Sequence, residues 1–494
     1  MVFDQAACCK LGWVILVHLC AIGALSAQPV KDPAKVIVNV YPDSMLSDVS
    51  HHPVGINLDY FTDDDNYLKP RRRTADALKA MGVKFLRYPG GNKSDFYFFS
   101  KPPYEKSEPT LARTGKNATA GRGRMLKNNF SEFKFDVLDF DEFMSMCREI
   151  GAEPIVVVAA DEYLVNYPEG STWSTKDQLV QHAAEWVKYS NVRKKYNVKY
   201  WMIGNESWHK ENINSTAQIY ARDVVDFSKA MKAVDPSINI IPNGNTEIFW
   251  KEVLTTAAGH IDLICNSNYP VYNYRAGYVT YRDTAQNLLG PVTTALKAID
   301  KYATIEDRRK LKLIVAEYGP FDWAKSERGF INNMGHNIMN FEMTGEQLCE
   351  PRVLFSCFWN TRWINNDSVS YSAFDALDKH GNFNANGYGL MIWGKFLGDK
   401  MVKTTSSVHV KTFASWKPQQ KKLFLYLLNK SDQQKQVELD VKGFKVKFIS
   451  QSWELAGEGP EDTKPVWRKA AQVKANRAIS VNPTSITVVE FDLE

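Results

Sequence analysis

The chain has 494 residues, 44% hydrophobic and 12% aromatic, enough apolar matter for one large core and a smaller second one. Its net charge of +5 is the small difference between 61 basic and 56 acidic residues, with no dense basic stripe, and this argues against nucleic acid as a partner. Thirteen Trp and 22 Tyr supply flat apolar faces that suit sugar rings, although core packing uses most such residues.

The N-terminus carries an apolar run over residues 11–24 between Lys10 and the small residues Ser26 and Ala27, the pattern of a signal peptide over 1–27. The run is shorter than the ~20 residues a membrane span needs. No other stretch could cross a bilayer, so we expect a secreted or lysosomal-type luminal protein, free of membrane once the signal is removed. Beyond it, Cys147, Cys265, Cys349 and Cys357 can pair in three ways, and the spacing selects none. Asn-x-Ser/Thr acceptors at Asn92, Asn117, Asn129, Asn205, Asn214, Asn366 and Asn429 fit an exported glycoprotein.

In chain order, residues 36–40 alternate as a strand does, and residues 28–50 are expected to join a C-terminal β domain. A second strand-like run at 54–60 precedes a helix over 74–81, which Gly82 ends. Residues 83–92 then read as a buried strand closing in Pro89-Gly90-Gly91-Asn92, where paired glycines let backbone approach a ligand and Asn92 can bond hydroxyls. Residues 93–132 form a long polar segment, expected to wall a cleft. Helices over 135–150 and 176–189 flank a fully apolar strand at 153–160, as parallel sheets require.

The strand at 199–203 ends in Gly204-Asn205-Glu206, and the strand at 311–317 ends in Ala316-Glu317-Tyr318-Gly319. Between them lie a helix over 217–234, strands at 238–244 and 261–270, and a helix over 293–302. A strand at 352–363 completes a count of eight, and a helix over 387–396 follows. Eight buried strands alternating with helices predict an α/β fold, a (β/α)8 TIM barrel over 51–398, whose chemistry collects at the C-terminal ends of the strands. From about residue 402, short alternating runs predict an antiparallel β-sandwich over 399–494.

Two acids at strand ends of one barrel, Glu206 and Glu317, are what glycoside hydrolysis needs: one protonated to serve the leaving oxygen, the other ionised. Tyr269, at the end of the 261–270 strand, is placed to bond Glu317, and Trp359 and Trp363 are candidates for stacking on a sugar. No metal-ligand spacing appears, His51-His52 being an isolated pair, and no cofactor is expected.

Ile203-Gly204-Asn205-Glu206 followed by Ala316-Glu317-Tyr318-Gly319 resembles the signatures of the (β/α)8-barrel clan of retaining glycosidases. With Leu86-Arg87-Tyr88-Pro89-Gly90-Gly91-Asn92 and a trailing β domain, the chain is most similar to the α-L-arabinofuranosidase family. The resemblance implies Glu206 as acid/base, Glu317 as nucleophile, Asn205 and Asn92 as hydroxyl-binding amides, and Tyr269 orienting Glu317. The chain departs from the family where Ser267 stands in place of a His and where Tyr-Gly rather than Trp-Asn follows Glu317. Endo-action on agar-type galactan, xylan or a glucuronide-containing glycan therefore stays open, as does a carbohydrate-binding protein without catalysis. With Asn205 and Asn92 in the candidate site, both are expected to stay unglycosylated.

Overall fold

The computed structural model describes residues 35–114, 126–127, 132–161, 172–209, 216–270, 278–284, 287–319, 332–362, 374–470 and 478–494. The signal-peptide pattern, Trp363 and the acceptors Asn117, Asn129, Asn214 and Asn366 lie outside the described residues. Strand β1 (Lys35–Asp48) is followed by eight strands that form one all-parallel sheet: β2 (Val54–Asn57), β3 (Phe85–Tyr88), β4 (Glu153–Val158), β5 (Tyr200–Ile203), β6 (Asn239–Pro242), β7 (Ile264–Asn268), β8 (Leu313–Tyr318) and β9 (Val353–Phe358). Their hydrogen-bonded order is β6-β5-β4-β3-β2-β9-β8-β7. The two ends meet in a parallel bridge between Asn243 and Cys265, and the amide of Gly244 donates to the Cys265 carbonyl at 3.2 Å. The eight strands thus make the expected barrel.

Alternation sorts the strand residues. Phe85, Ile155, Val157, Met202, Ile241, Cys265, Ile314, Phe355 and Cys357 fill the barrel interior, with Phe85 stacked on Phe355 at 4.1 Å between ring centroids. Intervening residues such as Leu86, Val156, Trp201, Ile240 and Val315 face the surrounding helices and share their core. Capping fixes where those helices begin. The Asp139–Glu142 capping box starts a helix at Phe140, later than hydropathy alone suggests, and the Thr175–Gln178 box starts the next at Lys176. Gly82 and Gly151 close their helices with φ of 82° and 71°.

The C-terminal domain is one hydrogen-bonded sheet of nine strands. It comprises β10 (Lys400–Thr404), β11 (Val410–Lys417), β12 (Lys422–Asn429), β13 (Lys435–Val441), β14 (Val446–Ala456), β15 (Val466–Lys469), β16 (Ile479–Val481) and β17 (Ser485–Leu493), with β1 between β10 and β13. The anticipated antiparallel sandwich is, in its hydrogen bonding, this single mostly antiparallel sheet, because β1 pairs parallel with β13 while meeting β10 antiparallel. Its strands are two-sided. Leu423, Leu425 and Leu427 of β12 enter the domain's own core, while Phe424, Tyr426 and Leu428 turn to the barrel. There Trp393, on a barrel helix, lies 4.4 Å from the Tyr426 ring.

Candidate active site

Each strand delivers a side chain to the C-terminal mouth, and one departure from regular pleating decides which. In β8, Leu313, Val315 and Tyr318 face outward, whereas Ile314 and Ala316 point inward. Strict alternation would turn Glu317 away from the lumen. The register of β8 slips against both neighbours at this point, so that Ser267 of β7 pairs with Glu317 and Phe358 of β9 with Tyr318. Such a bulge places two consecutive side chains on one face, and it re-aims Glu317 into the lumen.

There Glu317 meets Arg87, which β3 carries in a buried position, 1% exposed. The guanidinium donates from one terminal nitrogen to Glu317 Oε1 at 2.9 Å and to Asn57 Oδ1 at 2.7 Å, and from the other to Asn205 Oδ1 at 2.6 Å. Asn205 in turn donates to Asn92 Oδ1 at 2.8 Å, and the Tyr269 hydroxyl donates to Glu317 Oε2 at 3.2 Å. Both oxygens of Glu317 are therefore held. A fork of fixed donors can bond three acceptors from three strand ends at once, which a lysine ammonium cannot do in a plane.

Glu206 sits on a sharp turn after β5. Gly204 has φ of 67°, and Glu206 itself has φ of 49°, a left-handed backbone that costs a residue with a Cβ about 1–3 kcal/mol. Asn243 holds the turn by accepting from the Ser207 amide at 2.9 Å and donating to the Ile203 carbonyl at 2.9 Å. The Glu206 side chain is half-buried, and its Oε1 accepts from the Ser267 hydroxyl at 2.6 Å. The departure at position 267 therefore puts a hydroxyl donor on this acid. Of the second departure, Tyr318 points outward to Thr344 Oγ1 at 3.0 Å, whereas Gly319 lies at the mouth, where a Cβ would stand 3.5 Å from Phe374 and 3.7 Å from Tyr269.

Electrostatics tie the two acids together. The Glu317 carboxyl is held up at about 7: burial raises it most, the Glu206 charge adds to the rise, and Arg87 and Tyr269 oppose it. Burial and both acids lift the Tyr269 phenol well above its ordinary value, so it remains a hydrogen-bond donor.

Of the residues expected from sequence, Glu206, Glu317, Asn205, Asn92 and Tyr269 converge on this mouth. Trp359 lies against the Gly91 turn at the same mouth. A Cβ placed on Gly91 would lie 2.7 Å from Trp359 Cη2 and 3.0 Å from Glu317 Oε1, so the Gly90-Gly91 turn lets backbone approach the acid. Trp359 is 8% exposed and packs with Phe374 and Tyr269. Asn205 is 2% exposed and bonded on both sides, Asn92 is exposed, and Asn429 donates to two backbone carbonyls at 2.7 and 2.8 Å from a fully buried position. Sequence reading missed Asn57 and Arg87. The signal for Arg87 was present, a charge inside an otherwise buried strand. Among the described residues, Cys147, Cys265, Cys349 and Cys357 are all free thiols. Among the described residues no three His, Cys, Asp or Glu side chains gather as a metal site would require.

Residues 77–286 match the model of the alpha-L-arabinofuranosidase 1 domain. That span contains Arg87, Asn92, Asn205, Glu206, Ser267 and Tyr269. The chain is similar to the α-L-arabinofuranosidases. A probable alpha-L-arabinofuranosidase C of Aspergillus niger is 29% identical over 191 residues, 35% of this chain and 32% of that protein. The chain thus spans about a third of the length of the curated relatives it matches. The fold likeness is wider. An alpha-L-arabinofuranosidase from Thermotoga maritima, solved as an arabinose complex, shares 20% identity over 92% of this chain and 99% of its own, with a TM-score of 0.67. A family 51 alpha-L-arabinofuranosidase from Bifidobacterium longum reaches a TM-score of 0.70 at 14% identity and the same coverage. The likeness of fold therefore extends past the matched segment to include β8.

Proposed function

We propose that the chain is a retaining glycoside hydrolase that removes α-L-arabinofuranosyl units from an oligosaccharide or polysaccharide, acting after export directed by residues 1–27. The observation that carries this reading is the pair of acids at one barrel mouth. Glu317 has both oxygens bonded, and Glu206 stands beside it on a separate turn.

In the first step Glu317, ionised, attacks the anomeric carbon while the glycosidic C–O bond breaks, and the leaving oxygen takes the Glu206 proton. In the second, Glu206, now a carboxylate, deprotonates water. The water oxygen bonds to the anomeric carbon, and the ester bond's electron pair returns to Glu317. Arg87 stabilises the ionised form of Glu317, which attacks in the first step and departs from the ester in the second. Asn205 and Asn92, tied to one another, line the approach for the sugar hydroxyls.

The test is hydrolysis of 4-nitrophenyl α-L-arabinofuranoside followed by proton NMR. A first-formed product with the anomeric configuration of the substrate is the expected result. The inverted anomer would overturn the double displacement. No cleavage of this substrate or of the corresponding xyloside, glucuronide and galactoside would leave a carbohydrate-binding protein.

A further inference from the structure

Directly behind the turn that carries Glu206 lies an acid with no part in the two steps above. Asp161, just past the end of β4, is 4% exposed. Its Oδ2 accepts from the Ser207 hydroxyl at 2.9 Å, and its carboxyl also accepts from the Asn205 backbone amide. A Cβ on Gly204 would come within 2.5 Å of the same oxygen, so the carboxyl occupies space that only glycine leaves open. Asp161 therefore touches residues 204, 205 and 207, on both sides of Glu206.

That arrangement answers a need. A left-handed glutamate persists only where its surroundings over-determine it. Asn243 clamps Ser207 from the β6 side, and Asp161 clamps it from the β4 side. Burial and the neighbouring Asp95 carboxylate raise Asp161 well above the usual carboxylate range, with Arg113 and the Ser207 bond opposing. Its Oδ1 has no hydrogen-bond partner although it is buried. A group kept in so costly a place acts here on the turn it holds.

We propose that Asp161 is a positioning residue for acid catalysis, fixing the 204–207 turn so that the Glu206 proton reaches the leaving oxygen. The inference rests on Glu206 being the acid/base. It separates from a purely structural role by its dependence on the leaving group, since an aglycone that departs unaided does not need the proton.

The experiment measures kcat/KM for phenyl, 4-nitrophenyl and 2,4-dinitrophenyl α-L-arabinofuranosides with the native enzyme, Asp161→Ala, Asp161→Asn and Glu206→Gln. Asp161→Ala is expected to lower the phenyl value by about 100-fold, within the range of general acid catalysis, and the dinitrophenyl value by less than about tenfold. Glu206→Gln should show the same steepening. Asp161→Asn, which keeps an acceptor for Ser207 and Asn205, should recover most of the phenyl rate. Equal losses across the three aglycones in Asp161→Ala, with the steep dependence present in Glu206→Gln, overturn the inference and leave the glycosidase reading intact. A flat dependence in Glu206→Gln defeats the assignment of Glu206 instead. If Asp161→Ala does not fold, Ser207→Ala removes the 2.9 Å bond to Asp161 together with the 3.0 Å bond from Asn243 Nδ2, while the Asn243 clamp on the Ser207 amide stays. Steepening in that variant supports the proposal, and a flat response refutes it.

Discussion

Replacing Glu317 by Gln should make the protein more stable relative to the native chain as pH rises, because the fold holds this carboxyl at about 7 against an ordinary 4.5. A carboxyl raised on folding contributes nothing below the lower value, where both states are protonated. Between the two values the unfolded chain ionises first, so the native fold loses stability as pH climbs, and the loss is complete above the higher one. At about 1.4 kcal/mol per unit, the cost to the native protein is about 0.8 kcal/mol at pH 5 and about 3 kcal/mol at pH 8. Gln cannot ionise, so the variant escapes this cost. It leaves Arg87 short of its counter-charge, a penalty that does not change with pH because the guanidinium stays charged throughout. The difference between pH 8 and pH 5 therefore isolates the carboxyl at roughly 2–3 kcal/mol. Urea unfolding of both proteins at pH 5, 6, 7 and 8, followed by tryptophan fluorescence, measures it. A gap that stays constant, or one in which the native protein gains on the variant with rising pH, would mean that Arg87 outweighs burial and Glu317 is already ionised at pH 5.

The same variant should lose turnover on 4-nitrophenyl arabinofuranoside by about 10⁴-fold or more; retention of a tenth of native activity removes Glu317 from the reaction. The acid limb of native kcat/KM should lie near pH 7, since Glu317 must be ionised to attack and its pKa is about 7. A limb near pH 4.5 contradicts this. Glu206→Ala should be restored by azide on the dinitrophenyl glycoside, giving a glycosyl azide of unchanged anomeric configuration, and azide without effect argues against Glu206 as the base. Gly91→Ala drives a methyl to 2.7 Å from Trp359 Cη2. It should cost about 1–3 kcal/mol of stability and lower kcat/KM by at least about tenfold through displacement of Glu317; an unchanged kcat/KM would show that the turn tolerates the methyl.

The barrel was legible because eight apolar runs recur with helices between them, a pattern whose parallel solution has few alternatives. The acids were legible because polar groups that end such runs fall at one mouth. Pleat parity was not. Counted in twos from Ile314, Glu317 faces the helices, and only the slip against β7 and β9 turns it inward. A bulge leaves no mark in a strand without glycine, so no residue-level pattern announced it. Arg87 stands in a motif whose glycines draw attention before its charge does, yet it makes three of the four bonds that cross the lumen between Asn57, Glu317, Asn205 and Asn92. The sheet of the C-terminal domain was visible as alternation, whereas the parallel pairing of β1 with β13 joins segments that lie far apart in the chain, beyond what local periodicity encodes.

Those cross-lumen contacts explain why the site depends on closure of the whole barrel and not on any one motif. Arg87 on β3 and Glu317 on β8 are separated by β2 and β9 around the ring, and Glu206 after β5 reaches Ser267 on β7 past the intervening β6. An open sheet of the same strands would set these side chains apart. Among the described pairings the ring closes between β6 and β7 at Asn243 and Cys265. Asn243 is also the side chain that accepts from the Ser207 amide and donates to the Ile203 carbonyl, at the two ends of the left-handed turn. One residue thus serves both the seam and the acid/base turn. The Glu206 carboxylate there can approach Glu317 only once β6 has met β7, which ties the chemistry to the completed fold.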